Sequence, residues 1–339
     1  MPNKKSDETS RKVTASDVAA RAGVSKWTVS RAFTAGASIS EDARERVLQI
    51  ATELGYRPNL LARSLTTRRS GIVGLVVDEL ANPNLAPVLD EVTGQLQRRG
   101  YLAMLLNISS DQGRDTLSLA DQFQVDGLIF LGTVLTGELV EFAQDSHHIP
   151  LIVLYRNSDI PHIQVVSTDG YAAGRQIAAL LAEQGSVRIG YMAGPTSLST
   201  QLKRLDGFRD GLAERGLGVE VVLDADHYRR DCGFRAMSEY LYSTAAADRV
   251  EAMFCENDIL AVGALEALKT RRCTGTVGIV GFDDIELASS PNYELTTYRQ
   301  PMARLVDEAM RRLTDGNCVP RTFLALGELV IRRSHVRHR

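Results

Sequence analysis

From Gly71 onward the chain repeats one device: a short, almost uninterrupted apolar run, then a helix-length amphipathic segment, then another run. The runs are "GIVGLVV", "YLAMLLNI", "DGLIFLG", "PLIVLY", "RIGYMAGP", "VEAMFCEND" and "GTVGIVGFD", and Tyr171 to Gln184 is one of the intervening helical stretches. A strand apolar on both faces needs cover on both faces, so this alternation predicts parallel strands in doubly wound sheets. At 339 residues the chain is too long for a single core, and the body is read as two such lobes. Ligands of open parallel sheets sit beyond the carboxyl ends of the strands.

The first seventy residues follow another pattern. Thr14 with Asp17 reads as a capping box, and Val18, Ala19 and Ala22 form one apolar stripe that Gly23 stops. Ser25 is placed to cap a second helix with Val29, Ala32 and Phe33 on its buried face. A third helix follows from Ser40, with Ala43, Val47, Ile50, Ala51 and Leu54 at helical spacing up to Gly55. Two short helices joined by a tight glycine-containing turn form a helix-turn-helix, whose second helix enters the major groove of DNA. The only tryptophan, Trp27, lies on that second helix, with Ser30, Arg31 and Thr34 within about 60° of it on a helical wheel. Its outward face predicts base contact; the competing reading folds it over the small three-helix core.

Charge separates the same two regions. Residues 1–69 hold 13 Lys/Arg against 7 Asp/Glu, a net +6, whereas the remainder holds 26 against 35, a net −9. A basic head on an acidic body is the footprint expected if the head alone meets phosphate. Cys232, Cys255, Cys273 and Cys318 show no ligand or disulfide spacing, so reduced thiols and no metal are expected. No apolar run of about eighteen residues occurs and the amino terminus has no signal-peptide core, which predicts a cytoplasmic protein with no membrane partner.

The run "VTASDVAARAGVSKWTVSRAF … ISEDARERVLQIATELGYRPNLLARSLTTRRSGIVGLVV" resembles the head and hinge of the LacI/GalR family of bacterial transcription repressors, and the similarity extends over about residues 13 to 334. The resemblance implies a disordered tail at 1–12, an all-α helix-turn-helix DNA-binding domain at 13–58 and a hinge helix at 59–69. It further implies an α/β body at 70–335 like that of periplasmic sugar-binding proteins, with an N-lobe at about 70–166 and 299–325 and a C-lobe at about 167–298 and 326–335. Family readers match Lys26, Trp27 and Arg31, while Thr14, Ser25, Thr28 and Ser30 match positions that hold the backbone; Trp27 replaces a usual small or polar residue. The hinge residues matching Asn59, Ala62, Arg63 and Leu65 enter the minor groove, with Leu65 as the wedge.

For the body, the resemblance implies a small-molecule effector held by Arg204, Asn257 and Asp283, with Tyr228 stacking and Gln300 at a lobe crossover. Guanidinium, amide and carboxylate groups donate and accept in pairs, as a polyhydroxyl compound or a purine requires. Departures occur at Asn84 and Leu85, where the family often has two aromatics, and at Tyr155 and Arg156, where it often has Asp-Arg; Leu131 is apolar where some sugar binders are polar. A sugar or sugar derivative is expected, with a nucleoside, or an acidic metabolite held by Arg156 and Arg204, as alternatives. The expected assembly is a homodimer on a palindromic operator, since "RRSHVRHR" carries no leucine heptad. No GxSxG, HExxH, P-loop or GxGxxG motif occurs and His147 and His148 lack partner spacing, so neither catalysis nor a cofactor is expected. A solute-binding protein without DNA readout and an architectural DNA-binding protein that ignores metabolites are the remaining rivals.

Overall fold

The computed structural model describes residues 13–34, 36–57, 69–108, 113–132, 141–142, 149–158, 160, 163–195, 200–315 and 320–337. The expected tail at 1–12, the hinge residues Asn59, Ala62, Arg63 and Leu65, His147, His148 and Cys318 lie outside them. The chain divides into two compact units, Met1–Ser70 and Gly71–Arg339.

In the first unit, α1 (Ala15–Ala22), α2 (Lys26–Ala32) and α3 (Glu41–Leu54) surround a core of Val18, Ala19, Ala22, Val29, Ala32, Val47 and Ala51. At the start of α1, the Asp17 carboxylate accepts from both the N–H and the hydroxyl of Thr14, at 2.8 and 2.7 Å. Gly23 and Gly55 end α1 and α3 with φ of +67°, the left-handed conformation that a residue without Cβ adopts at no steric cost. Arg44 on α3 spends its guanidinium on the carbonyls of Ala32 (2.9 Å) and Ala37 (3.1 Å), tying α3 to the carboxyl end of α2. Phe33 is only partly buried and meets the Tyr56 ring edge to face, at 5.8 Å between centroids.

The second unit holds two six-stranded sheets. The first contains β1 (Ile72–Val77), β2 (Leu102–Asn107), β3 (Gly127–Leu131), β4 (Leu151–Leu154), β6 (Ile163–Thr168) and β13 (Thr322–Ala325), ordered β13-β6-β4-β3-β1-β2 and parallel throughout. The second contains β7 (Ile189–Ala193), β9 (Val219–Asp224), β10 (Ala252–Cys255), β11 (Gly278–Asp283), β12 (Thr296–Arg299) and β14 (Glu328–Val330), ordered β14-β12-β11-β10-β7-β9. Only β14 runs antiparallel in that sheet. A two-residue ladder joins β5 (Asn157–Ser158) to β8 (Thr200–Gln201). The chain therefore passes between sheets three times, after β6, after β12 and after β13.

Helices α4 (Leu85–Arg98), α5 (Gly113–Gln122), α6 (Gly170–Glu183), α7 (Arg204–Ala213), α8 (Arg230–Ser243), α9 (Asp258–Thr270) and α10 (Met302–Asp315) complete the unit. The central strands are buried on both faces: β3, β4 and β10 have no exposed residue, as their apolar runs require, whereas β2, expected from its apolar run to be buried, is an edge strand exposed at Leu102, Ala103, Leu105 and Asn107. Val92, Ile152 and Leu305 lie in the cluster on one face of the first sheet, and Phe130, Val153 and Leu117 in the cluster on the other. Edge strand β9 alternates half-buried and exposed residues, so its pattern lacks the continuous apolar run of its neighbours.

The crossing of α6 and α7 positions Arg204 at the cleft between the two sheets. A Cβ on Gly174 would lie 2.2 Å from the carbonyl oxygen of Arg204, and one on Gly207 would lie 1.9 Å from that of Tyr171. The backbone of Arg204, first residue of α7, can thus approach α6 only across glycine. Gly174→Ala gains about 1 kcal/mol of helix propensity, but overpacking at a backbone contact costs about 1–3 kcal/mol or more. The expected result is a melting temperature several degrees lower for the body together with weaker effector binding; an unchanged melting curve contradicts the packing argument.

Candidate functional site

On the first unit the candidate site is the outer face of α2. Ser25 Oγ accepts the N–H of Thr28 at 3.1 Å and contacts its hydroxyl at 2.9 Å, which fixes the first turn. Lys26, Trp27 and Ser30 are exposed, Thr28 and Arg31 are half-buried, and Val29 and Ala32 face inward. Trp27 is 66% exposed, so it does not cover the three-helix core. Its indole lies under the Arg31 guanidinium, 4.1 Å from ring centroid to Cζ. Thr14 and Ser25 use their side chains in the helix starts already described.

On the second unit, segments from both sheets converge on one cleft of about 600 Å³, open mouth included. Asn84 and Leu85 open α4, and Tyr155 and Arg156 follow β4. Arg204 opens α7, Tyr228 precedes α8, Asn257 caps α9 through Oδ1 to the Leu260 N–H (3.1 Å), Asp283 ends β11 and Gln300 follows β12. All nine of these sequence-predicted residues line the cleft, and so does Leu131. The sequence reading missed Asp78 and Glu79, which line it directly after β1, and it did not place Glu256 beside it. Acidic residues just past an apolar run are the signal that could have found the first two.

Register explains the close pairs. Leu131 stands opposite Leu154, so Gly132 and Tyr155 emerge side by side and the Arg156 Nε donates to the Gly132 carbonyl. Cys255 stands opposite Met192, and Glu256, the next residue, accepts the Gly194 N–H at 2.9 Å and the Tyr228 hydroxyl at 2.6 Å. Gly194 is required here: a Cβ would fall 2.1 Å from the Tyr228 ring. Buried Arg204 donates to the Glu256 carbonyl and lies over the Phe282 ring, 3.5 Å from the centroid. Arg156 Cζ lies 5.8 Å from the Tyr228 ring centroid, bridging the lobes. Thr168 donates to Gln300 Oε1 and Gln300 Nε2 donates to Asp283, each at 2.7 Å, which links two of the three crossover segments to the cleft.

Strain gathers at the same place. Tyr155, Lys203 and Asp283 have φ of +71°, +60° and +120°, conformations that non-glycine residues hold only when their surroundings impose them. Electrostatics are closely balanced. Burial pushes the Asp283 carboxyl up to about 6, opposed by Arg204 and by the Gln300 hydrogen bond. Burial also raises Glu79, reinforced by Asp78 and opposed by Arg156. The cleft lining thus holds three carboxyl groups, Asp78, Glu79 and Asp283, to the two guanidiniums of Arg156 and Arg204. No group of three or more His, Cys, Asp or Glu able to hold a metal, and no helix long and apolar enough to cross a membrane, occurs among the described residues.

Behind the cleft, Asp258 is wholly buried, accepting from Thr297 Oγ1 and, at 2.9 Å, from the Ile285 N–H. Burial and then nearby Asp283 push its carboxyl up to about 7. An ordinary aspartate in the unfolded chain titrates near 3.9, so between about pH 4 and 7 the folded state binds more protons. Stability from this group is fully present at low pH and is lost as pH rises through that window. Asp258→Asn should flatten the fall in melting temperature between pH 5 and pH 8. Parallel curves for the two proteins contradict the assignment.

Comparison with known proteins places this geometry. Residues 14–59 match the family model described as bacterial regulatory proteins, lacI family, and residues 178–335 match the periplasmic binding protein-like domain. The chain is 33% identical over 320 residues to the HTH-type transcriptional regulator CelR of Thermobifida fusca, covering 91% of this chain and 93% of that one. The chain belongs to the LacI family. This LacI-family regulator is also 29% identical over 331 residues to the HTH-type transcriptional repressor PurR of Photobacterium profundum, covering 95% and 98% of the two chains. Among solved structures it resembles a transcriptional regulator CelR–cellobiose complex (TM-score 0.69, 28% identity, 95% and 100% covered). The lac repressor dimer bound to operator and the anti-inducer ONPF shares its fold (TM-score 0.83, 24% identity, 96% and 100% covered). The regulator is thus a helix-turn-helix DNA-binding transcriptional regulator with a periplasmic-binding-protein-like body of two parallel-sheet lobes. The lacI match contains α1, α2 and α3; the second match contains Arg204, Tyr228, Asn257, Asp283 and Gln300.

Proposed function

We propose that this regulator represses transcription by binding a two-fold symmetric operator as a homodimer, and that a neutral sugar or sugar derivative in the cleft sets its affinity. The observation that carries the proposal is the convergence of eight polar and aromatic positions, together with Leu85, from both lobes on a cleft whose lining holds three carboxyl groups, Asp78, Glu79 and Asp283, to two guanidiniums. A neutral polyhydroxyl ligand uses such paired donors and acceptors. An acidic metabolite would add charge beside Asp78, Glu79 and Asp283, which already outnumber the two guanidiniums of the cleft. Support for a sugar also comes from the solved complex of the related CelR with cellobiose, and for repression from the relatives named as repressors.

In this reading Lys26, Trp27 and Arg31 read bases in the major groove, and Thr14, Ser25, Thr28 and Ser30 hold the backbone. The domain roles are a DNA-binding domain at 13–58, a hinge at 59–69 with Asn59, Ala62, Arg63 and Leu65 in the minor groove, and an effector-binding and dimerisation body at 70–335. The protein acts in the cytoplasm by binding alone and catalyses nothing. Effector need contribute only about 1–3 kcal/mol of coupling to change operator occupancy several-fold to a hundredfold.

The test is selection of duplexes from a random library by the purified full chain at fixed moderate salt, then release of the selected site by a panel of mono- and disaccharides and nucleosides. A two-fold symmetric site released or tightened by a carbohydrate is the expected result. No enrichment, with or without metabolite extract, overturns the DNA reading; a response to nucleosides alone overturns the sugar.

A further inference from the structure

Arg31 and Trp27 are one helical turn apart on the outer face of α2, and the Arg31 Cζ lies over the indole ring, 4.1 Å from its centroid. We infer that Trp27 is a positioning residue for Arg31, bracing the guanidinium so that it enters the major groove as a preset fork on one guanine in each half-site. The inference rests on the reading of α2 as the DNA-reading helix. It goes further in assigning Trp27 a role that acts through another side chain.

Three observations converge on it. The Arg31 guanidinium makes no hydrogen bond or ion pair with any described residue, whereas Arg44 on α3 is fully engaged with backbone carbonyls and Arg21 faces Glu53 at 3.5 Å. Its donors are therefore available to a partner. Second, Trp27 is two-thirds exposed and contributes nothing to the apolar cluster of the head, so packing does not account for so large a ring at this position. Third, the contact with the ring leaves the Arg31 N–H groups without a hydrogen-bond acceptor among the described residues, and it is these groups that fork onto guanine O6 and N7. An unbraced arginine loses the freedom of a long side chain on meeting the base, whereas a stacked one has lost part of it beforehand.

The test compares base preferences, not only affinity. Library selection is run with the unaltered protein, Trp27→Ala, Trp27→Phe, Arg31→Lys and the Trp27→Ala/Arg31→Lys double variant, with melting curves to confirm that each head is folded. A cation–π contact at an exposed site corresponds to about a 2- to 5-fold bias, so Trp27→Ala should lose discrimination for the guanine by about that factor in each half-site. Trp27→Phe, which keeps a ring but no indole N–H, should restore most of it. In the Arg31→Lys background, where no planar fork exists, removing the ring should cost nothing further at that position.

Full guanine discrimination in Trp27→Ala overturns the bracing role; where it comes with a loss at a neighbouring base pair, the indole reads that pair directly and does not act through Arg31. Failure of the unaltered protein to select any sequence overturns the reading of α2 as well.

Discussion

Arg31→Ala lowers affinity for the selected operator by at least about 30-fold while leaving affinity for unrelated DNA within a few-fold. A bidentate arginine–guanine pair accounts for about 1–3 kcal/mol of discrimination, and a two-fold site carries it twice. The combined loss of about 2–6 kcal/mol spans about 30-fold to more than 10⁴-fold. Fluorescence anisotropy at one fixed salt concentration measures both quantities. Non-specific binding is held by phosphate contacts, and the groups for these are other cations of the head, among them exposed Arg46. A uniform loss on all sequences would make Arg31 a phosphate contact; no loss on the operator removes it from the interface.

Arg204→Met abolishes the response to effector while operator binding without effector persists. Methionine keeps the apolar cover over Phe282 but removes the hydrogen bond to the Glu256 carbonyl and the cation facing Asp283. Hydrogen bonds from a charged group contribute about 1.5–3 kcal/mol each, so two lost ligand contacts weaken effector binding by about 100-fold or more. Arg204 is also the largest influence holding Asp283 down against burial. In the variant the Asp283 carboxyl therefore rises further above 6, and any residual effector binding becomes pH-dependent near neutrality. Calorimetric titration of effector at pH 6 and pH 8, beside a melting curve, measures both effects. Unchanged effector affinity with an intact fold would remove Arg204 from the clamp.

Legibility in the sequence varied with the range of the interaction. The head was read almost residue by residue, because caps and glycine stops act within one helical turn: Ser25 caps α2 and Gly23 and Gly55 end α1 and α3 where their positions indicated. Strands β1, β2, β3, β4, β7, β10 and β11 showed as apolar runs, whereas buried β6 did not, because Gln164, Ser167 and Thr168 interrupt its run. Nor did β9, since one face of an edge strand meets solvent, or β12, β13 and β14, whose three or four residues include Thr, Arg or Glu and form no continuous apolar run. The cleft residues drawn from family motifs at strand ends came together, whereas Asp78 and Glu79 belong to no quoted motif and were passed over.

The sequence by itself determined the alternation that builds two doubly wound lobes, the capped helices of the head and the outward face of Trp27, because each follows from spacing along a few turns or one strand. Only the tertiary structure decided that Arg31 stacks on Trp27, that Arg204 is buried across a glycine crossing, that Glu256 anchors Tyr228, and that Asp258 and Asp283 titrate far above ordinary aspartates. Those facts depend on rotamers, on burial and on charges brought from segments tens of residues apart, and desolvation exists only once the chain has closed around the group.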